Sequence, residues 1–218
     1  VSNLDQAFVI QSIRKPKLNE GFINRFLVTC EAYDVKAGII INKMDLAKAS
    51  DFDFIEDLAE VYLKLGYQVH VCSIKDDESL ENLKAVFKDN VNAFIGPSGV
   101  GKTSILNAIN PDIDFKVGEI SEFSNKGKHT TTYARLIPLP NGGYIADTPG
   151  IREFGLVNIE DWELSLYFPE MLEPREHCKF NTCIHIHEPG CGVIAAFEEG
   201  KIDANRYHSY INMLESSK

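Results

Sequence analysis

The sequence predicts an α/β protein in which a mainly parallel sheet, with helices on both faces, is followed by a small, mainly helical domain. Three observations support this prediction. Strand-like and helix-like blocks alternate, a glycine-rich turn joins one strand to the next helix, and cysteine and histidine residues cluster near the C-terminus. Alternation of strands and helices is typical of parallel sheets covered by helices. We place the domain boundary after residue 152, which gives domains of 1–152 and 153–218.

The blocks are assigned from short apolar runs and from apolar residues at helical spacing. Predicted strands cover 7–10, 38–41, 67–72 and 91–95, and predicted helices cover 18–33, 54–65, 79–87 and 102–109. A polar stretch at 112–130 predicts a long loop. The strands 133–139 and 143–146 flank Asn141-Gly142, a turn signal that predicts an antiparallel hairpin. Helical patterns follow at 161–168 and 194–215.

Composition and charge narrow the class of protein. The 218 residues are 44% hydrophobic and 25% charged, which is typical of a globular protein. No apolar run approaches the roughly 20 residues that cross a bilayer, and no signal peptide is visible. Because the net charge is −10, nucleic acid would need a local basic patch. Two loop clusters are candidates, although solvated loops are the favoured interpretation of both: Lys116, Lys126, Lys128 and His129, and then Arg175, His177 and Lys179.

The five cysteines indicate a reducing compartment, because their number is odd and no secretion signal precedes them. We therefore expect a cytoplasmic protein without disulfides. Cys30 and Cys72 fall in helical and strand patterns and are expected in the core. The other three cysteines lie close together in the C-terminal domain.

A phosphate-binding loop is predicted at residues 96–104, which read GPSGVGKTS and match G-x-x-x-x-G-K-[ST]. The glycines let successive backbone N–H groups face phosphate oxygens, Lys102 would reach the β- and γ-phosphates, and Thr103 would bind Mg²⁺. The helix that follows would direct its positive end at the same phosphates. The nucleotide-binding residues of this loop would be Gly96, Pro97, Ser98, Gly99, Val100, Gly101, Lys102, Thr103 and Ser104.

A base-reading motif is predicted at Asn42-Lys43-Met44-Asp45, directly after an apolar run. The Asp45 carboxylate would accept both N–H donors on the guanine edge, which discriminates against adenine. Asn42 would tie the motif to the phosphate loop, and the stem of Lys43 would stack on the base. Ser73-Ile74-Lys75 follows the next predicted strand, where a Ser-x-Lys loop would back the base. The base site would comprise Asn42, Lys43, Met44, Asp45, Ser73, Ile74 and Lys75.

Two further segments are candidates for sensing the γ-phosphate. Residues 147–150 read DTPG at a strand end, where Asp147 would hold Mg²⁺ through a water and the Gly150 N–H would meet the γ-phosphate. A threonine of the KHTTT segment would reach Mg²⁺ only while that phosphate is present. Thr131 is favoured for this role, and Thr130 is the alternative.

The catalytic group is less obvious, because Ras-like GTPases place a glutamine directly after D-x-x-G to orient the attacking water. Here that position is Ile151, whose side chain cannot act on water. His129, in the predicted switch loop, is the best replacement, since an imidazole can orient water or accept its proton near neutral pH. A solvated loop histidine is the alternative of equal weight.

A metal site is predicted from the pattern Cys178-x4-Cys183-x-His185-x5-Cys191. Three thiolates and one imidazole at this spacing suit a closed, tetrahedral Zn²⁺ site with a structural role. A domain with few apolar blocks would be marginal alone, and a metal would hold it together. His187 is the main competitor of His185 as a ligand and His177 a weaker one. A set of buried thiols is the remaining alternative.

The motifs follow an unusual order: base motif, Ser-x-Lys, phosphate loop, switch threonines and D-x-x-G. This is a circular permutation of the usual GTPase order, which is possible because strand neighbours are set in space and domain termini often lie close together. Four features carry a resemblance to a known family: GPSGVGKTS, KHTTT, DTPG before a hydrophobic residue, and the cysteine–histidine cluster. With these features the whole chain resembles the RsgA family (also called YjeQ or YloQ). Its members are bacterial GTPases of small-ribosomal-subunit biogenesis.

The resemblance implies a late assembly factor that hydrolyses GTP, binds the small subunit and its rRNA near the decoding region, and is stimulated by the ribosome. It also implies an N-terminal OB-type RNA-binding domain, of which this sequence is expected to contain no part. The expected cofactors are Mg²⁺ with GTP or GDP and one structural Zn²⁺. We expect a monomer with no membrane partner. The alternatives are a permuted GTPase of another assembly pathway, which would lack the cysteine cluster, and a nucleotide-gated binding module with negligible hydrolysis.

Overall fold

The computed structural model describes residues 4–111, 135–147 and 159–216. Within these ranges the strands are β1 Gln6–Ser12, β2 Lys36–Asn42, β3 Gln68–Val71, β4 Val91–Ile95, β5 Arg135–Pro138 and β6 Tyr144–Asp147. The helices are α1 Glu20–Ala32, α2 Ala49–Lys64, α3 Asp77–Phe87, α4 Lys102–Ile109, α5 Pro169–Arg175, α6 Gly192–Glu198 and α7 Ala204–Ser216, with 3₁₀ helices at Met44–Leu46 and Leu164–Tyr167. In this part of the chain no helix is long and apolar enough to span a bilayer.

The described strands form one sheet in the order β3-β2-β1-β4-β6-β5. All neighbouring strands are parallel except β5 and β6, which form the predicted antiparallel hairpin. Its turn contains Gly142 and Gly143 at φ 85° and 83°, a left-handed conformation that glycine adopts without steric penalty. The mainly parallel α/β class predicted from the sequence is confirmed.

The central strand β1 is buried along its whole length. Successive side chains of a strand point to opposite faces, so both faces of the sheet are covered at this position. On one face, Phe8 and Ile10 pack in a core cluster with residues of α3 and α4, among them Phe87 and Ile105. Val9, on the opposite face, is also fully buried. Continuous burial explains the unbroken apolar run at 7–10 within this strand.

The C-terminal helices differ from the sequence-based prediction. The pattern at 194–215 predicted one helix, but α6 and α7 are separate because the chain turns at Gly200, whose φ is 73°. A left-handed glycine after the last helical residue is a common helix stop, and the Gly200 N–H donates to the Phe197 carbonyl at 3.0 Å. The pattern at 161–168 gives only the 3₁₀ helix. Helix α5, which begins at Pro169 and was not predicted, follows it.

The chain forms two compact units. One consists of Val1–Asn19 with Val35–Glu153, and the other of Glu20–Asp34 with Phe154–Lys218. Helix α1, which the sequence assigned to the first domain, therefore groups with the C-terminal residues. The predicted boundary at 152/153 lies outside the described residues and stays a prediction.

A buried ion pair fastens α1 to the C-terminal helices. The Arg206 guanidinium donates to both carboxylate oxygens of Glu170 at 2.6 and 3.1 Å, and their side chains are only 1% and 6% exposed. Arg206 Nη1 also donates to Asn24 Oδ1 of α1 at 3.0 Å. Asn24 Nδ2 in turn donates to Ser209 Oγ at 2.7 Å. The guanidinium also stacks 4.7 Å from the ring centroid of Phe168, so this buried charge has both polar and aromatic partners.

Arg206→Met is expected to destabilise the C-terminal unit by about 3–5 kcal/mol, because it leaves the Glu170 carboxylate buried without its cation. Urea unfolding followed by Trp162 fluorescence would measure this, since Trp162 is the single tryptophan of the chain. The double variant Arg206→Met/Glu170→Leu removes both charges and should recover most of the loss. Equal destabilisation of the single and double variants would contradict this account.

Candidate functional site

The predicted phosphate loop lies between β4 and α4, in the strand–turn–helix context that its sequence requires. Gly101, directly before the helix, has φ 101°, and a methyl group there would collide with the side-chain amide of Asn42. A methyl group on Gly96 would collide with the Ile10 carbonyl oxygen. These two glycines are thus required because neighbouring segments approach the loop closely.

The side chains of Val100 and Lys102 stabilise the conformation of the phosphate loop. Val100 is completely buried in the core cluster and anchors the turn. The Lys102 ammonium donates to the Gly96 and Pro97 carbonyls at 2.6 and 2.8 Å, so it lies across the mouth of the loop. Thr103 and Ser104 follow in the first turn of α4, where the positive end of the helix dipole favours anions.

Asn42, the last residue of β2, contacts the phosphate loop directly. Its Nδ2 donates to the Val100 carbonyl at 2.9 Å, and its Oδ1 accepts a weak hydrogen bond from Cys72 Sγ at 3.4 Å. Lys43 follows at φ 64° and extends its ammonium to the carbonyls of Gly99 at 2.6 Å and Lys15 at 2.5 Å. The first two residues of the base motif are therefore hydrogen-bonded to the phosphate loop.

Asp45 is held by the Ser-x-Lys segment. Ser73 Oγ donates to Asp45 Oδ1 at 2.9 Å, and the Lys75 ammonium donates to Oδ2 at 2.6 Å. The hydrogen bonds from Lys75 and then Ser73 lower the pKa of the Asp45 carboxyl below its ordinary value, so it is ionised at neutral pH. An ionised carboxylate has about four lone-pair positions, so it can accept N–H donors of a base edge in addition to these two.

Backbone contacts place the remaining base-site residues. The Met44 N–H donates to the Cys72 carbonyl at 3.1 Å, and the Lys75 N–H donates to Ser73 Oγ at 3.2 Å. Ile74 lies between them with 44% of its surface exposed. All seven predicted base-site residues thus meet at the carboxyl ends of β2 and β3, the edge at which open α/β sheets bind their ligands.

The predicted γ-phosphate and catalytic residues are only partly described. The backbone of Asp147 ends β6, which pairs in parallel with β4, so its position is at the same sheet edge as the phosphate loop. His129, Thr130, Thr131, Gly150 and Ile151 lie outside the described residues. Their roles stay predictions.

Cys178, Cys183, His185 and Cys191 come together in the C-terminal unit, with all four ligand atoms within 4.8 Å of one another. Tetrahedral Zn²⁺, with bonds of about 2.3 Å to sulfur and about 2.0 Å to nitrogen, requires S···S near 3.8 Å and S···N near 3.6 Å. The Cys178–Cys191 sulfurs are 3.8 Å apart, and His185 Nδ1 lies 3.6 and 3.3 Å from these two sulfurs. The donor set and its spacing therefore fit Zn²⁺.

The cluster includes His185 rather than its two competitors. His185 is 1% exposed, and burial lowers its pKa to about 4, which leaves the neutral imidazole that can bind a metal. His187 is exposed to solvent, and His177 is an exposed residue that pairs with Glu173 at 3.3 Å.

Residues that the sequence did not single out hold the cluster loop in shape. The Glu188 carboxylate accepts the N–H groups of Ile184 at 2.7 Å, Ile186 at 3.0 Å and His187 at 3.1 Å. Burial alone would raise the pKa of Glu188, but these N–H donors outweigh it and hold the pKa at about 2. The Tyr207 hydroxyl donates to the His185 carbonyl at 2.7 Å. Nothing in the sequence marks these residues, because their roles depend on the folded loop.

The sheet order, the phosphate loop beside a guanine-type base motif, and the order of the motifs along the chain define a circularly permuted GTPase. The family model described as RsgA GTPase matches residues 1–157. The chain belongs to the RsgA GTPase family.

Known relatives and solved structures agree with this assignment. Proteins named small ribosomal subunit biogenesis GTPase RsgA are 42% identical in Phocaeicola vulgatus and 39% identical in Bacteroides fragilis, over 217 residues that cover 100% of this chain and 70% of each relative. The crystal structure of YjeQ from Thermotoga maritima matches with a TM-score of 0.85 and 36% identity, over 99% of this chain and 72% of that one. The structure of YloQ, described as a circularly permuted GTPase, matches with a TM-score of 0.79 and 37% identity, over 98% and 68%.

Asp45→Asn is expected to weaken GTP binding and to favour xanthosine triphosphate, because the amide offers a donor where guanine needs an acceptor. A hydrogen bond to a charged group contributes about 1.5–3 kcal/mol, so the affinity for GTP should fall on the order of 10- to 100-fold. Titration with a fluorescent GTP analogue would measure it. Asp76→Asn, a matched change at an exposed carboxylate nearby, is the control, and equal affinities of the two variants would contradict the base-reading role.

Proposed function

We propose that the chain binds GTP and GDP with Mg²⁺, hydrolyses GTP to GDP and phosphate, and acts as a late assembly factor of the small ribosomal subunit. One observation carries the nucleotide part of this proposal. Asn42 joins the base motif to the phosphate loop, while Ser73 and Lys75 hold Asp45 ready to accept the guanine edge. The names of the relatives support the ribosomal part.

The proposed hydrolysis relies on positioning and electrostatic stabilisation, as phosphoryl transfer generally does. The phosphate loop would bind the phosphates through its backbone N–H groups, and Lys102 would exchange its two loop carbonyls for phosphate oxygens. Thr103, Thr131 and Asp147 would hold Mg²⁺, with Asp147 acting through a water. Gly150 would sense the γ-phosphate, and His129 would orient the attacking water.

We propose that the four-residue cluster binds one structural Zn²⁺. Four protein ligands leave no open position, so the metal would have no catalytic role. Its role would be to close the loop between α5 and α6, where the Cys191 sulfur also accepts the Ile194 N–H at 3.4 Å and caps α6.

We propose that the C-terminal unit contacts rRNA. A groove of about 560 Å³ is lined in part by cluster residues, and its lining includes Cys178, Cys183, His185, Leu172, Arg175, Glu176 and Phe180. Phe180 is 44% exposed, and the Lys179 ammonium lies 5.5 Å from its ring centroid. Exposed aromatic rings with adjacent cations suit unstacked bases and phosphates, even on a protein of negative net charge.

We place the protein in the cytoplasm as a monomer, with a GTPase domain at 1–152 and a zinc-binding domain at 153–218.

GTP turnover is expected to rise at least about tenfold when purified small ribosomal subunits are added to the intact protein. His129→Ala should lower the stimulated rate by roughly 100-fold at nearly unchanged GTP affinity, since general acid–base catalysis contributes about 10²–10⁴. Phosphate release would be measured with and without subunits. Turnover that stays negligible in both cases would favour the nucleotide-gated binding module, for which Ile151 after DTPG is the supporting observation.

Metal analysis of the purified protein should find about one zinc per chain. His185→Ala should bind zinc at least roughly tenfold more weakly and unfold at lower temperature, because binding free energy of a structural metal is also folding free energy. His187→Ala is the matched control, since this exposed histidine lies two residues away, and it should retain the metal. Absence of zinc from the native protein would refute the proposed metal site.

A further inference from the structure

The segment after β1 lies against both halves of the nucleotide site. The Ile13 N–H donates to the Asn42 carbonyl at 3.1 Å. The Lys15 carbonyl accepts the Lys43 ammonium at 2.5 Å, and a methyl group placed on Gly99 would lie 3.8 Å from Pro16 Cδ. Residues 13–16, the β1 loop, therefore form one wall beside the base motif.

The β1 loop completes the hold on Lys43. The ammonium of this residue has two protein acceptors among the described residues, the carbonyls of Lys15 and Gly99. If the Lys15 carbonyl moved away, the ammonium would keep only the Gly99 carbonyl, and the Lys43 stem would be held less firmly. The position of the Lys15 carbonyl therefore contributes to the position of Lys43.

The backbone at Lys15 does not favour this position by itself. Its φ of 56° lies in the left-handed region, which non-glycine residues rarely occupy without support from their surroundings. The support comes from Arg14, whose guanidinium donates to both oxygens of Asp51 at 2.8 and 3.0 Å. The Ser12 hydroxyl also donates to the Arg14 carbonyl.

Asp51 links this ion pair to the base motif. Besides binding Arg14, its carboxylate accepts the Lys48 N–H at 2.7 Å and so caps the start of α2. Helix α2 follows the base motif after only a few residues. The Asp51 side chain is 17% exposed and that of Arg14 is 35% exposed, and the pairing is bidentate, the geometry in which a surface ion pair is strongest.

We propose that Arg14 is a positioning residue for guanine nucleotide binding: its bidentate pair with Asp51 holds the β1 loop so that the Lys15 carbonyl fixes Lys43 beside the base. The proposal rests on the proposed function. It predicts that the β1 loop affects nucleotide affinity without touching the nucleotide, and that the effect passes through Lys43.

The test measures the affinity of purified protein for a fluorescent GDP analogue, with titrations extended to millimolar concentration. Arg14→Met should weaken binding about fivefold, and Arg14→Lys about twofold, because lysine keeps the charge but not the bidentate geometry. Asp51→Asn, which retains an oxygen for the α2 cap, should match Arg14→Met. Lys64→Met removes the same charge from an exposed ion pair with Glu60, and its affinity should equal that of the wild type.

A double-mutant cycle with Lys43→Met tests whether the effect of Arg14 on nucleotide affinity passes through Lys43. In the Lys43→Met protein, adding Arg14→Met should change affinity by less than about twofold, because the loop then has no ammonium to hold. A fivefold loss in both backgrounds, or no loss in either, would overturn the proposal. A wild-type protein that fails to bind GDP would instead refute the proposed function, and thermal unfolding without nucleotide would verify that each variant folds.

Discussion

The side chain of Asn42 joins the predicted base motif to the predicted phosphate loop, because its amide donates to the Val100 carbonyl at 2.9 Å while its oxygen accepts from the Cys72 thiol. This contact requires β1 between β2 and β4, with all three strands parallel, so that their carboxyl ends share one edge. It also requires glycine at position 101, where any side chain would displace the amide. The permuted chain order is tolerated because these requirements are spatial and set no order of strands along the chain.

Preorganisation is the common feature of the base-site contacts. Asp45 is ionised and held by two donors of the protein itself, and the Lys43 ammonium is held by two backbone carbonyls. Ordering such long side chains at the moment of binding would reduce affinity, so their prior fixation favours the complex. The same reasoning applies to the β1 loop, since its Lys15 carbonyl supplies one of these acceptors.

In the C-terminal unit, buried polar contacts supplement an apolar core of thirteen buried residues. The paired Arg206 and Glu170 occupy the interior, the Glu188 carboxylate organises a turn, and the cysteine–histidine cluster closes the loop. Arg206 and Glu170 compensate each other, and a buried charge without such a partner would be strongly destabilising. Helix α1 belongs to this unit, although along the chain it lies between β1 and β2 of the other unit.

The sequence by itself determined the elements and motifs that depend on local pattern: the parallel sheet from alternating blocks, the hairpin from Asn141-Gly142, the phosphate loop, the base motif and the spacing of Cys178, Cys183 and Cys191. Only the tertiary structure decided which unit α1 joins, which histidine meets the cysteines, and which residues support the site. The reason is physical, since Arg206, Glu188 and Arg14 take their roles from partners distant in sequence or from a folded turn. Local pattern carries no information about such contacts.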